Sequence, residues 1–168
     1  MKIGRKLISA ESIFVIAEIG NNHNGSFKRA IKLVDQAIKI GADCVKFQMR
    51  HMDEVYRSKS LKRKGEDLGT EYVLDLLDKF QLTTSEHLKI KEYCDKKDII
   101  YMCTPWDKKS IKILEEFEVA AYKVASADLT NIPLIDLLCK TRKTLFLSTG
   151  MSSIEEIKKT SDFLNKNC

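Results

Sequence analysis

The sequence is poor in the residues that mark fibrous and disordered proteins, with 7 glycines and 2 prolines among its 168 residues. This composition excludes collagen-like and low-complexity classes. The chain also has no run of about 20 apolar residues, which excludes an ordinary membrane-spanning helix. No cleavage site for an export signal follows the apolar stretch 13–19. We therefore expect a globular, cytoplasmic protein of one domain, with no membrane as its partner.

Cysteine is present, but its spacing indicates no chemistry. The five cysteines are odd in number and form no Cys-x-x-Cys pair, so neither a disulfide framework nor a zinc site is predicted. Four of them, Cys44, Cys94, Cys103 and Cys139, lie in apolar stretches, where cysteine behaves as a small buried hydrophobic residue. We expect the cysteines to be reduced and structural.

Two nucleotide-binding signatures are missing as well. Neither a GxGxxG turn nor a Walker loop occurs, which argues against a dinucleotide or nucleoside triphosphate fold. The formal charge of +5 suits an anionic ligand without requiring one. Nucleic acid is the alternative partner, but acidic and basic residues are interleaved outside one basic cluster, 57–64. We interpret that cluster as a solvated loop and expect no nucleic acid partner.

What the chain does contain is an alternation of short apolar runs with helical patterns. The runs predict five strands, over 13–17, 44–47, 99–103, 121–124 and 144–147. Helical segments follow them, including two near 71–80 and 85–97. Their predicted boundary residues are Ser26, Asp107 and Ser153 as N-caps, Pro133 in a first turn and Gly41 as a stop.

Repeated β-α units predict a parallel sheet covered by helices, which is an α/β fold. Two architectures fit this pattern. Five units make a complete doubly wound sheet, or they make the first five of the eight units of a (β/α)8 barrel, which takes about 250 residues. Periodicity does not choose between them.

Both architectures bind ligands at the carboxyl ends of the strands, and the predicted strands end in polar residues. Lys46 and Lys123 lie in otherwise apolar strands, where an unpaired ammonium group is costly to bury. Hydroxyl groups occur at Thr104, Ser126 and Ser148. A phosphate or carboxylate ligand would satisfy these cations and donors together.

Three further polar residues, Glu18, Gln48 and Asp128, stand at the same strand ends and can orient hydroxyl groups or move protons. A purely structural interpretation is that Lys46 pairs with Glu18 and Lys123 with Asp128 as internal salt bridges. Because all five strands end in groups of this kind, we favour the ligand interpretation.

The histidines are not spaced as metal ligands. His23 lies between asparagines, which favours a turn role, whereas His51 falls in a polar loop and His87 on a helix. We therefore predict no metal site from them. Trp106 is interpreted as packing at the rim.

Five motifs, taken together, resemble the sialic acid synthase family in their order along the chain. They are IAEIGNNHNG from Ile16, GADCVKFQ from Gly41, Thr104-Pro105, YKVAS from Tyr122 and LSTGM from Leu147. Members of this family condense phosphoenolpyruvate with an N-acylated amino sugar to form a nonulosonic acid. The resemblance implies a (β/α)8 barrel.

The resemblance also implies roles for the residues at the strand ends. The residues that would bind the phosphate and carboxylate of phosphoenolpyruvate are Lys46, Thr104, Lys123, Ser126 and Ser148. The resemblance implies that Glu18 and Gln48 lie near the sugar and the reacting centre, and that Asp128 is a candidate proton-transfer group.

Some features of the family are missing from this chain. The divalent metal of the family, manganese or magnesium, is held by two histidines late in the barrel that residues 1–168 do not include. The small C-terminal antifreeze-like domain, which covers the partner's site in a dimer, is also missing. We interpret 1–168 as the N-terminal portion of a synthase barrel, expect these residues alone to be inactive in condensation, and expect a homodimer for the complete protein. No counterpart of the family's sugar-contacting asparagine occurs in 62–69, so the acceptor sugar stays open.

Two other hypotheses compete with a synthase. The same rim can belong to a non-catalytic anion-binding module that needs a second chain. Alternatively, Lys46 or Lys123 can serve as the amine of a Schiff base in an aldolase-like or isomerase-like enzyme.

Overall fold

The strands form a small hairpin and a larger parallel sheet. The structure, a computed structural model, describes residues 2–9, 11–56 and 70–168. In the hairpin, β1 (Lys2–Ile3) pairs antiparallel with β2 (Lys6–Leu7). The parallel sheet consists of β3 (Ile16–Gly20), β4 (Cys44–Met49), β5 (Ile100–Pro105), β6 (Ala121–Val124) and β7 (Thr144–Leu147).

The order of the strands decides between the two predicted architectures. Strands β3 to β7 lie in the sheet in their chain order, each parallel to the next. A doubly wound sheet reverses its strand order part-way, whereas a barrel adds each strand beside the previous one. The segment before β3 also contacts the last strand, since Phe14 stacks on Phe146 of β7 with ring centroids 6.4 Å apart. The fold is α/β, with the parallel units of a TIM-type (β/α)8 barrel.

The described helices cover one face of this sheet. They are α1 (Phe27–Lys39), α2 (Met52–Val55), α3 (Thr70–Lys79), α4 (Thr84–Lys96), α5 (Lys108–Glu116), α6 (Ile132–Lys140) and α7 (Ile154–Asn167). The core between helices and sheet includes Val34, Val45, Phe47 and Ile90.

The predicted boundary residues are confirmed. Ser26 Oγ accepts from the backbone N–H of Arg29, and Ser153 forms a capping box with Glu156. Asp107 caps α5, Pro133 lies in the first turn of α6, and Gly41 follows α1 with a φ of +77°.

The predicted start of the first strand of the sheet is wrong. Ile13 is 89% exposed, and β3 begins at Ile16, which pairs with Cys44. The pairing partner, rather than the apolar run, determines where this strand begins. The hairpin and α2 were not predicted. The basic cluster 57–64 and the segment 62–69 lie outside the described residues.

The prediction for the cysteines is correct for three of the five. Cys44, Cys94 and Cys103 are buried and free, and burial raises the pKa of Cys94 and of Cys103 to about 12, so they remain protonated thiols. The expectation that Cys139 is reduced is wrong. Cys139 at the end of α6 forms a disulfide with Cys168, beyond α7, because the packing of these helices brings their Cα atoms to 4.9 Å. None of the helices in the described ranges is long and apolar enough to cross a membrane.

Candidate active site

The inner face of the sheet, which faces away from the helices, is apolar at the amino ends of the strands. Cys44, Met102 and Ala121 pack there with Ile3 of the hairpin, which is 1% exposed. The hairpin therefore closes this end of the sheet with hydrophobic side chains.

The same face becomes polar towards the carboxyl ends of the strands. Residues two apart on a strand share a face, so Lys46 and Gln48 follow Cys44 on β4. The register aligns Glu18 with Lys46 and Gln48 with Thr104. The predicted site residues of three neighbouring strands thus lie side by side.

Lys46 lies between a carboxylate and a hydroxyl group. Its side chain is 11% exposed, and its Nζ forms a salt bridge with Glu18 Oε2. The same Nζ donates to Thr104 Oγ1 at 3.4 Å. The Glu18 carboxylate compensates the burial of the ammonium group. Because the Glu18 side chain is 47% exposed, the pair remains accessible from the rim.

Lys123 is the second cation of the inner face. Its Nζ donates to Ser148 Oγ and to the backbone oxygen of Val124, each at 2.5 Å. Burial lowers the pKa of Lys123, and the nearby charge of Lys46 lowers it further, while Glu18 opposes the shift. An anion next to Lys123 would oppose this shift and stabilise the charged ammonium group.

The alternative interpretation, in which both lysines form internal salt bridges, is correct for Lys46 and wrong for Lys123. Lys46 does pair with Glu18, but Lys123 bonds to Ser148 and the backbone rather than to Asp128. Asp128 Oδ1 accepts from Asn131 Nδ2 at 3.0 Å. Its Oδ2 is buried and has no hydrogen-bond partner among the described residues. One buried carboxylate oxygen is therefore left for a ligand or a proton.

Gln48 is held by a residue that the sequence analysis did not assign. Arg50 Nη2 donates to Gln48 Oε1, and the Arg50 guanidinium carbon lies 4.6 Å from the centroid of the Trp106 ring. Gly20 lies beside this group, since a Cβ there would be 2.9 Å from Glu18 Oε1 and 3.3 Å from Gln48 Nε2. A side chain at this position would therefore force the Glu18 carboxylate to shift and would crowd Gln48.

Ser126 is two residues beyond the end of β6, in a short 3-10 helix (Ser126–Asp128). It is partly buried. Its place after β6 matches the carboxyl end of that strand, and its role as a ligand of phosphate stays a prediction.

Two of the histidines belong to the outer, helix-covered side of the sheet. His23 Nδ1 accepts from the N–H of Gly25 at 3.1 Å, which confirms its turn role, and its ring stacks on Phe47. His87 Nδ1 lies 2.8 Å from Tyr101 Oη. Burial lowers the pKa of His87 to about 3, so its ring is neutral at neutral pH.

The third histidine is not part of a metal site either. His51 Nδ1 lies 3.2 Å from Asp107 Oδ1. Across 2–9, 11–56 and 70–168, no group of three or more His, Cys, Asp or Glu side chains is arranged to hold a metal ion. The described residues therefore do not fit the divalent metal that the resemblance implies, and no chemical step is derived through it.

A sequence signal for Arg50 exists. Lys46, Gln48 and Arg50 alternate along β4 and its extension, so they share one face. Trp106 follows β5, and its backbone N–H donates to Met49 O, which brings its ring to the end of β4.

A parallel sheet in sequential order, with lysine ammonium and hydroxyl groups together at the carboxyl ends of its strands, defines a protein of the TIM-barrel class. Residues 33–168 match the NeuB family. The chain therefore belongs to the NeuB, or sialic acid synthase, family.

Individual relatives agree with this assignment. An N,N'-diacetyllegionaminic acid synthase of Campylobacter jejuni is 33% identical over 91% of this chain and 47% of its own. An uncharacterized protein of Methanocaldococcus jannaschii is 39% identical over 99% of this chain and 47% of its own. The chain spans about half the length of the curated relatives it matches.

A solved structure shows the same fold. The N-acetylneuraminic acid (sialic acid) synthetase of Leptospira borgpetersenii serovar Hardjo-bovis, in complex with citrate, superposes with a TM-score of 0.79 at 27% identity. The match covers 98% of this chain and 56% of that chain.

Proposed function

We propose that this chain supplies the phosphoenolpyruvate-binding half of the active site of a nonulosonic acid synthase. The observation that carries the proposal is the pairing of two cations, the buried Lys46 and the partly buried Lys123, with hydroxyl groups at one end of the sheet. The relative of known structure holds citrate, which is also a multiply charged carboxylate.

The ligand set follows from this arrangement. When phosphoenolpyruvate binds, its phosphate and carboxylate oxygens take the place of the present hydrogen-bond partners of the two lysines. The groups that donate hydrogen bonds to these oxygens belong to Lys46, Thr104, Lys123, Ser126 and Ser148. Hydrogen bonds between ionised partners are the strongest that proteins make. The mutual repulsion of the two lysines disappears once an anion lies between them.

The chemistry is a condensation with an N-acylated amino sugar. C3 of phosphoenolpyruvate attacks the aldehyde carbon of the open-chain sugar, which forms the new C–C bond and leaves a cationic C2. Water adds at C2, and one of its protons goes to the alkoxide left at the former aldehyde carbon. The C2–O bond to phosphate then breaks while the C2 hydroxyl proton passes to the phosphate, which yields the 2-keto acid and inorganic phosphate. The lysines stabilise the negative charge that moves onto the leaving phosphate.

Three side chains serve the sugar and the protons. Glu18 and Gln48 lie at the sugar and the reacting centre. Asp128, with one buried oxygen free of hydrogen bonds within the described chain, accepts or returns a proton. The expected homodimer stays a prediction, as does the alternative that the chain is a non-catalytic anion-binding module.

Calorimetric titration with phosphoenolpyruvate tests the anion site. Lys46→Ala and Lys123→Ala should each weaken binding by a factor of about ten or more, since each removes a charge-assisted contact. Lys32→Ala, which removes an exposed lysine of α1, is the matched control and should leave affinity unchanged. Equal affinity in all four proteins would reject the assignment.

Two further assays separate the alternatives. Phosphate release that depends on an N-acyl amino sugar distinguishes a synthase from an anion-binding module, which binds phosphoenolpyruvate without turnover. Borohydride trapping with a keto substrate tests the Schiff-base hypothesis, because only an imine is reduced to a stable adduct on Lys46 or Lys123.

A further inference from the structure

Arg50 is a buried cation outside the predicted site. Arg50 is 7% exposed, and its guanidinium group lies over the Trp106 ring. No carboxylate of the described ranges lies within salt-bridge distance of it. Stacking on an aromatic ring fixes the plane of a guanidinium group, so its N–H groups point in set directions.

One of these N–H groups determines the orientation of the Gln48 side chain. Arg50 Nη2 donates to Gln48 Oε1. An amide oxygen only accepts and an amide nitrogen only donates, so this bond turns the oxygen towards Arg50. The NH2 group is then directed to the other side, near Gly20 and Glu18, where a Cβ on Gly20 would lie 3.3 Å from Nε2.

The orientation limits what Gln48 can bind. A free carboxamide accepts a hydrogen bond as readily as it donates one. With its oxygen bonded to Arg50, Gln48 offers N–H donors to the site, and Glu18 next to it offers acceptor oxygens. A substrate atom at Gln48 must therefore carry a lone pair, as carbonyl and hydroxyl oxygens do.

We propose that Arg50 is a positioning residue that holds Gln48 as a hydrogen-bond donor for a carbonyl or hydroxyl oxygen of the acceptor sugar. This role rests on the proposed function, in which Gln48 lies at the sugar. Arg50 acts through Gln48 and does not itself touch the substrate.

The first test is spectroscopic and needs no turnover. In the 15N-labelled chain, the side-chain NH2 signals of Gln48 are identified by their loss in Gln48→Ala. Arg50→Met should shift these signals, Arg50→Lys should restore part of the shift, and Arg142→Met, at an exposed arginine beyond α6, should leave them in place. Unmoved Gln48 signals in a folded Arg50→Met protein, or signals displaced as far in Arg50→Lys as in Arg50→Met, would overturn the proposal.

The second test is a double-mutant cycle in the condensation assay of the complete protein with an N-acetylated hexosamine. Arg50→Met should lower kcat/KM for the sugar by about tenfold, as expected for one charge-assisted hydrogen bond, with phosphoenolpyruvate affinity unchanged. On the Gln48→Ala background the same change should have no further effect. An equal loss on both backgrounds, or a loss confined to phosphoenolpyruvate binding, contradicts the role.

The two tests fail in different ways. If the wild-type chain does not bind phosphoenolpyruvate, the proposed function is wrong. The NMR comparison then tests the contact between Arg50 and Gln48 independently of that function.

Discussion

Both faces of β4 have polar side chains next to them, but these side chains are neutral on the outer face and charged on the inner face. On the outer face, Phe47 packs against His87 and Tyr101, whose ring nitrogen and hydroxyl oxygen lie 2.8 Å apart. On the inner face, Lys46 forms an ion pair with Glu18. The outer groups are neutral and satisfy each other, whereas the inner groups are charged and remain open to the rim.

The difference shows which burial serves packing and which serves binding. Burial lowers the pKa of His87 to about 3, so the core contains no charge at that position. Lys123 is also shifted towards neutrality by burial and by Lys46, yet hydroxyl and carbonyl oxygens bind its ammonium group. Charge that is retained against desolvation is typical of functional sites, and here it lies on the face of the proposed site.

The largest effect is expected on the inner face, from Asp128→Asn. If Asp128 moves a proton, turnover of the complete enzyme should fall by roughly a hundredfold or more, while phosphoenolpyruvate affinity changes little. Asp136→Asn, on α6, removes a carboxylate that pairs with Lys140 on the surface and serves as the control. A raised Michaelis constant with unchanged kcat would instead show that Asp128 positions the substrate.

The neutral His87 on the outer face should make the stability of the fold depend on pH. Between the ordinary histidine pKa of 6.5 and the folded value of about 3 for His87, the unfolded chain binds a proton that the folded chain does not. Stability should therefore fall as pH decreases through this window, by about 1.4 kcal/mol per pH unit.

The variant His87→Gln, measured by urea unfolding at several pH values, should reduce this slope. A smaller slope remains from His23, whose pKa burial also lowers. Identical slopes in His87→Gln and wild type would contradict a neutral, buried His87.

The smallest effect is expected from a pair of glycine variants, of which one lies beside the charged groups of the inner face and the other does not. Gly20 and Gly41 have φ values of +52° and +77°, so alanine at either should cost roughly 1–2 kcal/mol. A Cβ at Gly41 meets no described atom within 4 Å, whereas one at Gly20 would lie 2.9 Å from Glu18 Oε1. Only Gly20→Ala should weaken phosphoenolpyruvate binding, and equal binding by both variants would remove Glu18 from the site.

The local signals in the sequence predicted most helix boundaries because capping chemistry is local. Ser153 and Glu156 bond to each other across one turn, so their spacing alone predicts the start of α7. The start of β3 depends instead on its pairing with Cys44, and the apolar run at Ile13 therefore predicted it too early.

The site was predictable where a residue was anomalous in its own strand. Lys46 and Lys123 stand out as cations in apolar runs. Arg50 does not, because it is buried by a ring that arrives from the end of the next strand. The bond between Cys139 and Cys168 likewise depends on how α6 and α7 pack, and the residues are 29 apart in sequence, which no spacing rule anticipates.

That disulfide has a mechanical consequence. It closes a ring of chain that contains β7 and Ser148, so a force applied to the two ends of the protein bypasses everything between Cys139 and Cys168. An extended residue spans about 3.5 Å, and the ring conceals roughly 100 Å of contour length. In an optical trap, the fully stretched oxidised chain should be shorter by that amount than the reduced chain or Cys168→Ser. The loop that carries one hydroxyl ligand of the proposed anion site is thus shielded from tension that would pull the other strands apart.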